Sequence, residues 1–223
     1  MTNHVFSTHG DLIPYGLLVH TTGDGIPSKC STIEEVSSVA VAEYVKMDIA
    51  NGVGPHYVIS PDGSAVELRD PSKKAWHAAV SAHDRQRFLS GMWETENKVD
   101  KSVIDWWHRR WPGTKSPSHL YPAKSPNDSY VGVELVPCGT YDKQTWKPTL
   151  AGGRMVFGRF TIDQYYALAE LCSDLRHPKE WEEPGRLVGH EDVNPITRPG
   201  WDPGDKIGAF DWTLLKNLIR LVG

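Results

Sequence analysis

The chain has 223 residues, enough for one well-packed domain and cramped for two. Hydrophobic residues at 39% and charged residues at 23% describe an ordinary soluble globular protein, and no apolar stretch approaches the roughly eighteen residues of a membrane span. A formal net charge of −4 without any basic run excludes the electrostatic footprint of a general nucleic-acid binder.

Met1 to Gly10 lacks a basic segment followed by an apolar core, so no secretory signal is read and synthesis in a cytoplasm is the expectation. Leu17-Leu18-Val19-His20 then reads as a short central strand. Thr32 to Glu35 forms a capping-box signature, followed by apolar residues at Ile33, Val36, Ala40, Tyr44 and Met47 and a stop at Gly52. That predicts an amphipathic helix. His56 to Ile59 and Ala65 to Leu68 flank Pro61-Asp62-Gly63-Ser64, a hairpin signal.

Residues 83–129 fit this pattern less well and are read as an insertion. They hold four tryptophans (Trp93, Trp106, Trp107, Trp111), a candidate helix from Val103 to Arg110, and a Pro/Ser-rich tail. The Trp cluster is expected to be a small core that holds the insertion in place, rather than a stacking platform for sugar or peptide. Tyr130 to Val136 predicts a second central strand, apolar on both parities apart from Glu134. A second capping box, Thr161 to Gln164, opens a helix with Ile162, Tyr165, Ala169 and Cys172 on one face. Leu187-Val188-Gly189 is a short strand, and Phe210 to Val222 a last helix with Leu214, Leu215, Leu218 and Ile219 inward. The fold class expected is α/β: a mixed central β-sheet flanked by helices, in a single domain over residues 1–223. Cys30, Cys138 and Cys172, odd in number and without paired spacing, read as core thiols.

The segment from Gly189 to Gly204 sets His190 and Asp202 on one loop pinned by Pro195, Pro199 and Pro203. Imidazole and carboxylate are ligands for zinc, and His20, at the end of its strand, supplies a third. Three protein ligands leave the fourth position of zinc open for hydrolytic chemistry. Amide hydrolysis also needs a proton carrier. Glu134 is the candidate, because a carboxylate in an apolar strand has a desolvation cost that calls for a purpose; its plain alternative is a strand-end residue facing solvent. His56 is expected to pack beside the site and His77 to line a groove, with His83, His108 and His119 at the surface.

Taken in order, these motifs resemble the zinc-dependent N-acetylmuramoyl-L-alanine amidases of the type 2 family, whose fold is shared with peptidoglycan-recognition proteins. The resemblance rests on the strand ending in His20, the His56 hairpin, Ala75-Trp76-His77-Ala78, Val131-Gly132-Val133-Glu134, and Gly189-His190 to Asp202-Pro203-Gly204 with Phe210-Asp211-Trp212 beyond. It implies zinc held by His20, His190 and Asp202, Glu134 as the catalytic carboxylate, and Trp76 and His77 bordering a groove for peptidoglycan or muropeptide. The implied reaction cleaves the amide between the lactyl group of N-acetylmuramic acid and L-alanine.

Two positions depart from the family pattern. Gly200 stands where many relatives carry a basic residue two positions before the ligand aspartate, and Pro55 where a subset carries a tyrosine. Arg198 is the nearest cation, able either to reach the oxyanion or to brace its own loop. The expected role is a bacteriophage endolysin that lyses the cell wall and acts as a monomer, without nucleic acid or membrane insertion. The alternatives are a cytoplasmic muropeptide-recycling amidase, a non-catalytic peptidoglycan-recognition module, or a zinc hydrolase acting on another amide.

Overall fold

The computed structural model describes residues 12, 14–22, 35–39, 42–43, 45–46, 53–78, 80–95, 99–137, 149–151, 154–157, 159–199, 202–203 and 210–223. Strand β1 (Gly16–Thr21) is buried along its whole length. It pairs in parallel with β4 (Tyr130–Leu135) on one side and β8 (Leu187–Gly189) on the other. Apolar residues on both parities suit a strand covered on both faces. β2 (Tyr57–Ile59) adds in parallel to β4, and β3 (Ala65–Glu67) closes the hairpin in antiparallel fashion, giving the order β3-β2-β4-β1-β8. The mixed sheet flanked by helices is therefore as expected.

The two faces of the sheet bury different halves of the chain. Leu17, Val19, Val131 and Val133 face α3 (Ile162–Leu175) and α5 (Trp212–Val222), which contribute Tyr165, Leu168, Cys172, Leu215, Leu218 and Ile219. Leu214 is only partly buried there. The predicted capping box at Thr161 and Gln164 is present, and it also ties α3 to the sheet. The fully buried Gln164 amide donates to the carbonyls of Ile59 and Val136 at 3.1 and 2.7 Å, and the Thr161 hydroxyl donates to the Pro61 carbonyl at 2.6 Å. The last helix starts two residues later than Phe210, with Asp211 accepting the Leu214 N–H as its cap.

On the opposite face the insertion forms α1 (Ala82–Ser90) and α2 (Lys101–Arg110), capped by Ser81 and Asp100. Phe88, Trp93, Trp106, Trp107 and Trp111 pack with Leu18, Tyr130 and Val188 of the sheet. The core reading of the tryptophans stands, but the core they build is one face of the central sheet. His83 and His119 are exposed, and His108 pairs with Glu94 at 3.2 Å. Residues 35–39, 42–43 and 45–46 are helical, in keeping with the predicted amphipathic helix; Thr32 of its capping box, and Gly52, lie outside the described residues, as do Cys30, Cys138, Gly200 and Gly204. Cys172 is buried. A small antiparallel sheet of β5 (Thr149–Ala151), β6 (Arg154–Phe157) and β7 (Phe160–Thr161) had no counterpart among the expected elements.

Candidate metal centre

The carboxyl end of β1 carries His20 onto the face that the insertion covers. Register places His20 beside Glu134 of β4, and Glu134 beside Val58 of β2. Side chains in register on adjacent strands share a face, so Glu134 lies on the His20 side, with only 8% of its surface exposed. The solvent-facing alternative for Glu134 is thereby overturned: an inner strand leaves that face covered. His190 opens α4 (His190–Val193) directly after β8.

His20, His190 and Asp202, all buried, bring one ligand atom each within 4.8 Å of one another, a cluster that could hold a metal ion. Asp202 Oδ1 accepts the Thr21 N–H at 2.8 Å, which leaves Oδ2 turned to the two imidazoles. From Oδ2 it is 3.0 Å to His190 Nδ1 and 3.7 Å to His20 Nδ1. Burial alone would raise the Asp202 carboxyl, but the hydrogen bond from His190 and the neighbouring imidazole of His20 hold it well below the usual carboxylate range. Burial, and then the neighbouring His20, lower His190 to about 4, so its imidazole is neutral near pH 7. Neutral imidazole and ionised carboxylate are the forms that bind metal. The Gly189 position admits no side chain, because a β-carbon there would meet Pro203 Cδ at 2.5 Å. That close approach brings the Asp202 segment against the root of His190.

The orientation of His20 follows from a chain of hydrogen bonds. His77 Nε2 lies 3.2 Å from the Tyr130 carbonyl, which can only accept, so Nε2 carries the proton. His77 Nδ1 then accepts from His20 Nε2 at 3.0 Å, leaving His20 Nδ1 as the atom that faces Asp202. Burial keeps His77 uncharged, its pKa pushed far down. Holding a metal-binding imidazole through its other nitrogen is how proteins fix both tautomer and aim. His77 also lines an open cavity, with both its nitrogens committed to the protein.

His56 packs beside this chain, its ring 5.7 Å from that of His77. Its Nε2 donates to the Lys73 carbonyl at 2.7 Å, and its Nδ1 accepts the Gly132 N–H at 2.9 Å. Burial lowers His56 from 6.5 to about 4. The unfolded chain therefore binds this proton more tightly than the folded one. The His56 contribution to stability is complete above pH 6.5 and is lost as pH falls toward 4, by at most about 3 kcal/mol. Urea unfolding from about pH 7 to about pH 5 should show the midpoint falling, and falling less in His56→Gln; parallel slopes would contradict this account.

A cavity of about 440 Å³ opens beside the cluster at His190, lined also by Val53, Trp76, His77, Asn127 and Arg198 among others. Trp76 is 54% exposed at its edge. Asn127, which the sequence did not single out, accepts the N–H groups of His77 and Ala78 at 3.0 and 2.7 Å and so fixes that wall. Arg198 Nε lies 3.5 Å from Asp202 Oδ2 and 3.4 Å from His190 Nδ1.

A family model for N-acetylmuramoyl-L-alanine amidase (Amidase_2) matches residues 11–205, a span holding every residue of this cluster. The chain belongs to that amidase family. No curated protein matches it. Among solved structures, a selenomethionine derivative of AmpD aligns over 98% of this chain and 94% of its own, at 21% identity and a TM-score of 0.47. The Ph2119 endolysin from Thermus scotoductus MAT2119 bacteriophage Ph2119 aligns over 96% and 89%, at 14% identity and a TM-score of 0.40. Family membership carries the function class: a peptidoglycan amidase, acting on N-acetylmuramoyl-L-alanine linkages. Among the described residues, no helix of this amidase is long and apolar enough to cross a membrane.

Proposed function

We propose that the protein is a zinc-dependent amidase that lyses cell walls, with His20, His190 and Asp202 as the metal ligands. The observation that carries this reading is the buried His-His-Asp cluster, which an open cavity reaches at His190. Zinc with arms of about 2.0–2.1 Å sets tetrahedral donors about 3.3 Å apart. The 3.0 and 3.7 Å separations from Asp202 Oδ2 bracket that edge, and the three ligand atoms all lie within 4.8 Å of one another, close enough to gather around one ion. When bound, zinc supplies Lewis acidity toward the lactyl carbonyl and acidifies water.

The remaining chemistry falls to side chains. Glu134, buried on the His20 face, takes the proton of the attacking water and returns it to the L-alanine amine as that group leaves. Arg198, on the cavity wall, brings a fixed cation to the oxyanion, the duty that a basic residue at position 200 would otherwise perform. Trp76 offers an aromatic face to the sugar or the peptide stem. His77, with both nitrogens engaged, supplies shape to the wall. A recognition module without catalysis is disfavoured because all three ligand positions are filled.

Digestion of purified Gram-negative sacculi, with products read by mass spectrometry, tests the proposal. Wild type should release stem peptides beginning in L-alanine, and Glu134→Gln should release them about 10²–10⁴-fold more slowly. Protein that stays bound to intact sacculi would point to the recognition module. Cleavage confined to soluble muropeptides would point to the recycling role.

A further inference from the structure

Two residues after His190, Asp192 is completely buried, and four donors converge on its carboxylate. Oδ1 accepts from Arg110 Nε at 2.7 Å and from Trp111 Nε1 at 2.9 Å. Oδ2 accepts from Arg110 Nη2 at 3.0 Å and from the Gly189 N–H at 2.7 Å. The Asp192 carbonyl accepts Trp107 Nε1 at 2.9 Å. Apart from Gly189, every one of these donors comes from the end of α2 in the insertion: Trp107 and Arg110 lie on its last turn, and Trp111 is its C-cap residue. The Arg110 guanidinium is itself held 4.1 Å over the Trp212 ring.

Isolated stabilisation does not account for this arrangement, because a buried ion pair recovers little more than its desolvation cost. Its geometric effect is larger. A bidentate fork fixes the carboxylate in both position and rotation. Asp192 then holds the Gly189 N–H on one side of His190, while the Glu191 N–H donates to the Asp202 carbonyl at 2.7 Å. The backbone carrying one metal ligand is thereby tied to the insertion and to the segment carrying another.

We propose that Arg110 and Asp192 are positioning residues for His190, and that the helical insertion is thus a structural part of the metal centre. This inference rests on the zinc reading above.

Arg110→Lys in the full chain keeps the charge and removes the fork. Zinc affinity, measured by competition with a chromogenic chelator, should fall about 10–100-fold, and the visible spectrum of the cobalt-loaded protein should change. Trp93→Leu is the comparison: Trp93 packs on Trp107 at 5.3 Å between ring centroids, and its indole N–H makes no hydrogen bond among the described residues. It should lower the melting temperature of the metal-free protein at least as much, with zinc affinity within about threefold of the parent. Should Arg110→Lys fail to fold, Trp111→Phe removes one donor while keeping an aromatic ring, and should weaken zinc binding severalfold. The inference is overturned if the folded variant binds zinc as the parent does. It is equally overturned if Trp93→Leu reproduces the loss at equal melting temperature. A parent that binds no zinc overturns the metal reading, and this inference with it.

Discussion

Asp202→Ala is expected to bring stem-peptide release below detection and to weaken zinc binding about a hundredfold or more. Apparent binding energies of about 10–16 kcal/mol for structural zinc, divided over four positions, leave about 3 kcal/mol for each ligand. The alanine variant also deprives the Thr21 N–H of its acceptor, so part of the loss would be local structure. Asp202→Asn separates the two effects. Asparagine can still accept from Thr21 through its carbonyl, but it offers the metal no charge. Metal content after dialysis, read beside product release, decides the matter. Asparagine and alanine variants should both lose metal, with the asparagine variant retaining more of the parent's resistance to urea. An Asp202→Ala protein that dialyses with full metal would remove Asp202 from the ligand set.

Gly132→Ala should be nearly as damaging, although the added methyl touches none of the proposed ligands. A β-carbon at Gly132 would lie 2.4 Å from His77 Cγ and 2.5 Å from His77 Nδ1. The strand cannot yield easily, because the Gly132 N–H is held by His56 Nδ1 and its carbonyl accepts the His56 N–H at 2.9 Å. The His77 ring must therefore move, and it is His77 Nδ1 that accepts from His20 and fixes its tautomer. Overpacking of this kind costs about 1–3 kcal/mol of stability. Loss of the hydrogen bond that aims a ligand costs about 10–100-fold in metal affinity or activity. Product release at fixed zinc, together with the urea midpoint, checks both. Parental activity in a folded Gly132→Ala protein would show that the His77 contact does not govern His20.

Much of this architecture is written in local patterns. The apolar run ending at His20, the Asp-Gly hairpin, the strand around Glu134 and the Thr161–Gln164 capping box each depend on residues close in sequence, and each is found where the pattern puts it. The candidate ligands were legible because few side chains bind metal, His20 and His190 fell at the ends of such elements, and Asp202 stood on a loop marked by its prolines. The partners of Asp192 were not legible. Arg110 lies 82 positions away, and nothing in the spacing of α2 says which carboxylate its face will meet. The role of Gly132 left a fainter signal, since a glycine inside a strand often marks a close approach, though not what approaches. Strands β5 to β7 span two to four residues each, too short for a period-two pattern to register.

The interior position of β1, between β4 and β8, bears on the order in which this molecule is built. Its first strand is flanked by two that come far later in the chain, and the Thr21 N–H waits for a carboxylate 181 residues downstream. Contacts of such range close slowly, because the loop entropy is lost before any pairing returns it. A ribosome-bound chain that has not yet exposed β8 has a β1 without its later edge partner, and His20 waits longer still for Asp202. On the zinc reading, metal capture would come among the last events of folding, and an ion that binds only the finished fold would draw the population toward it by mass action.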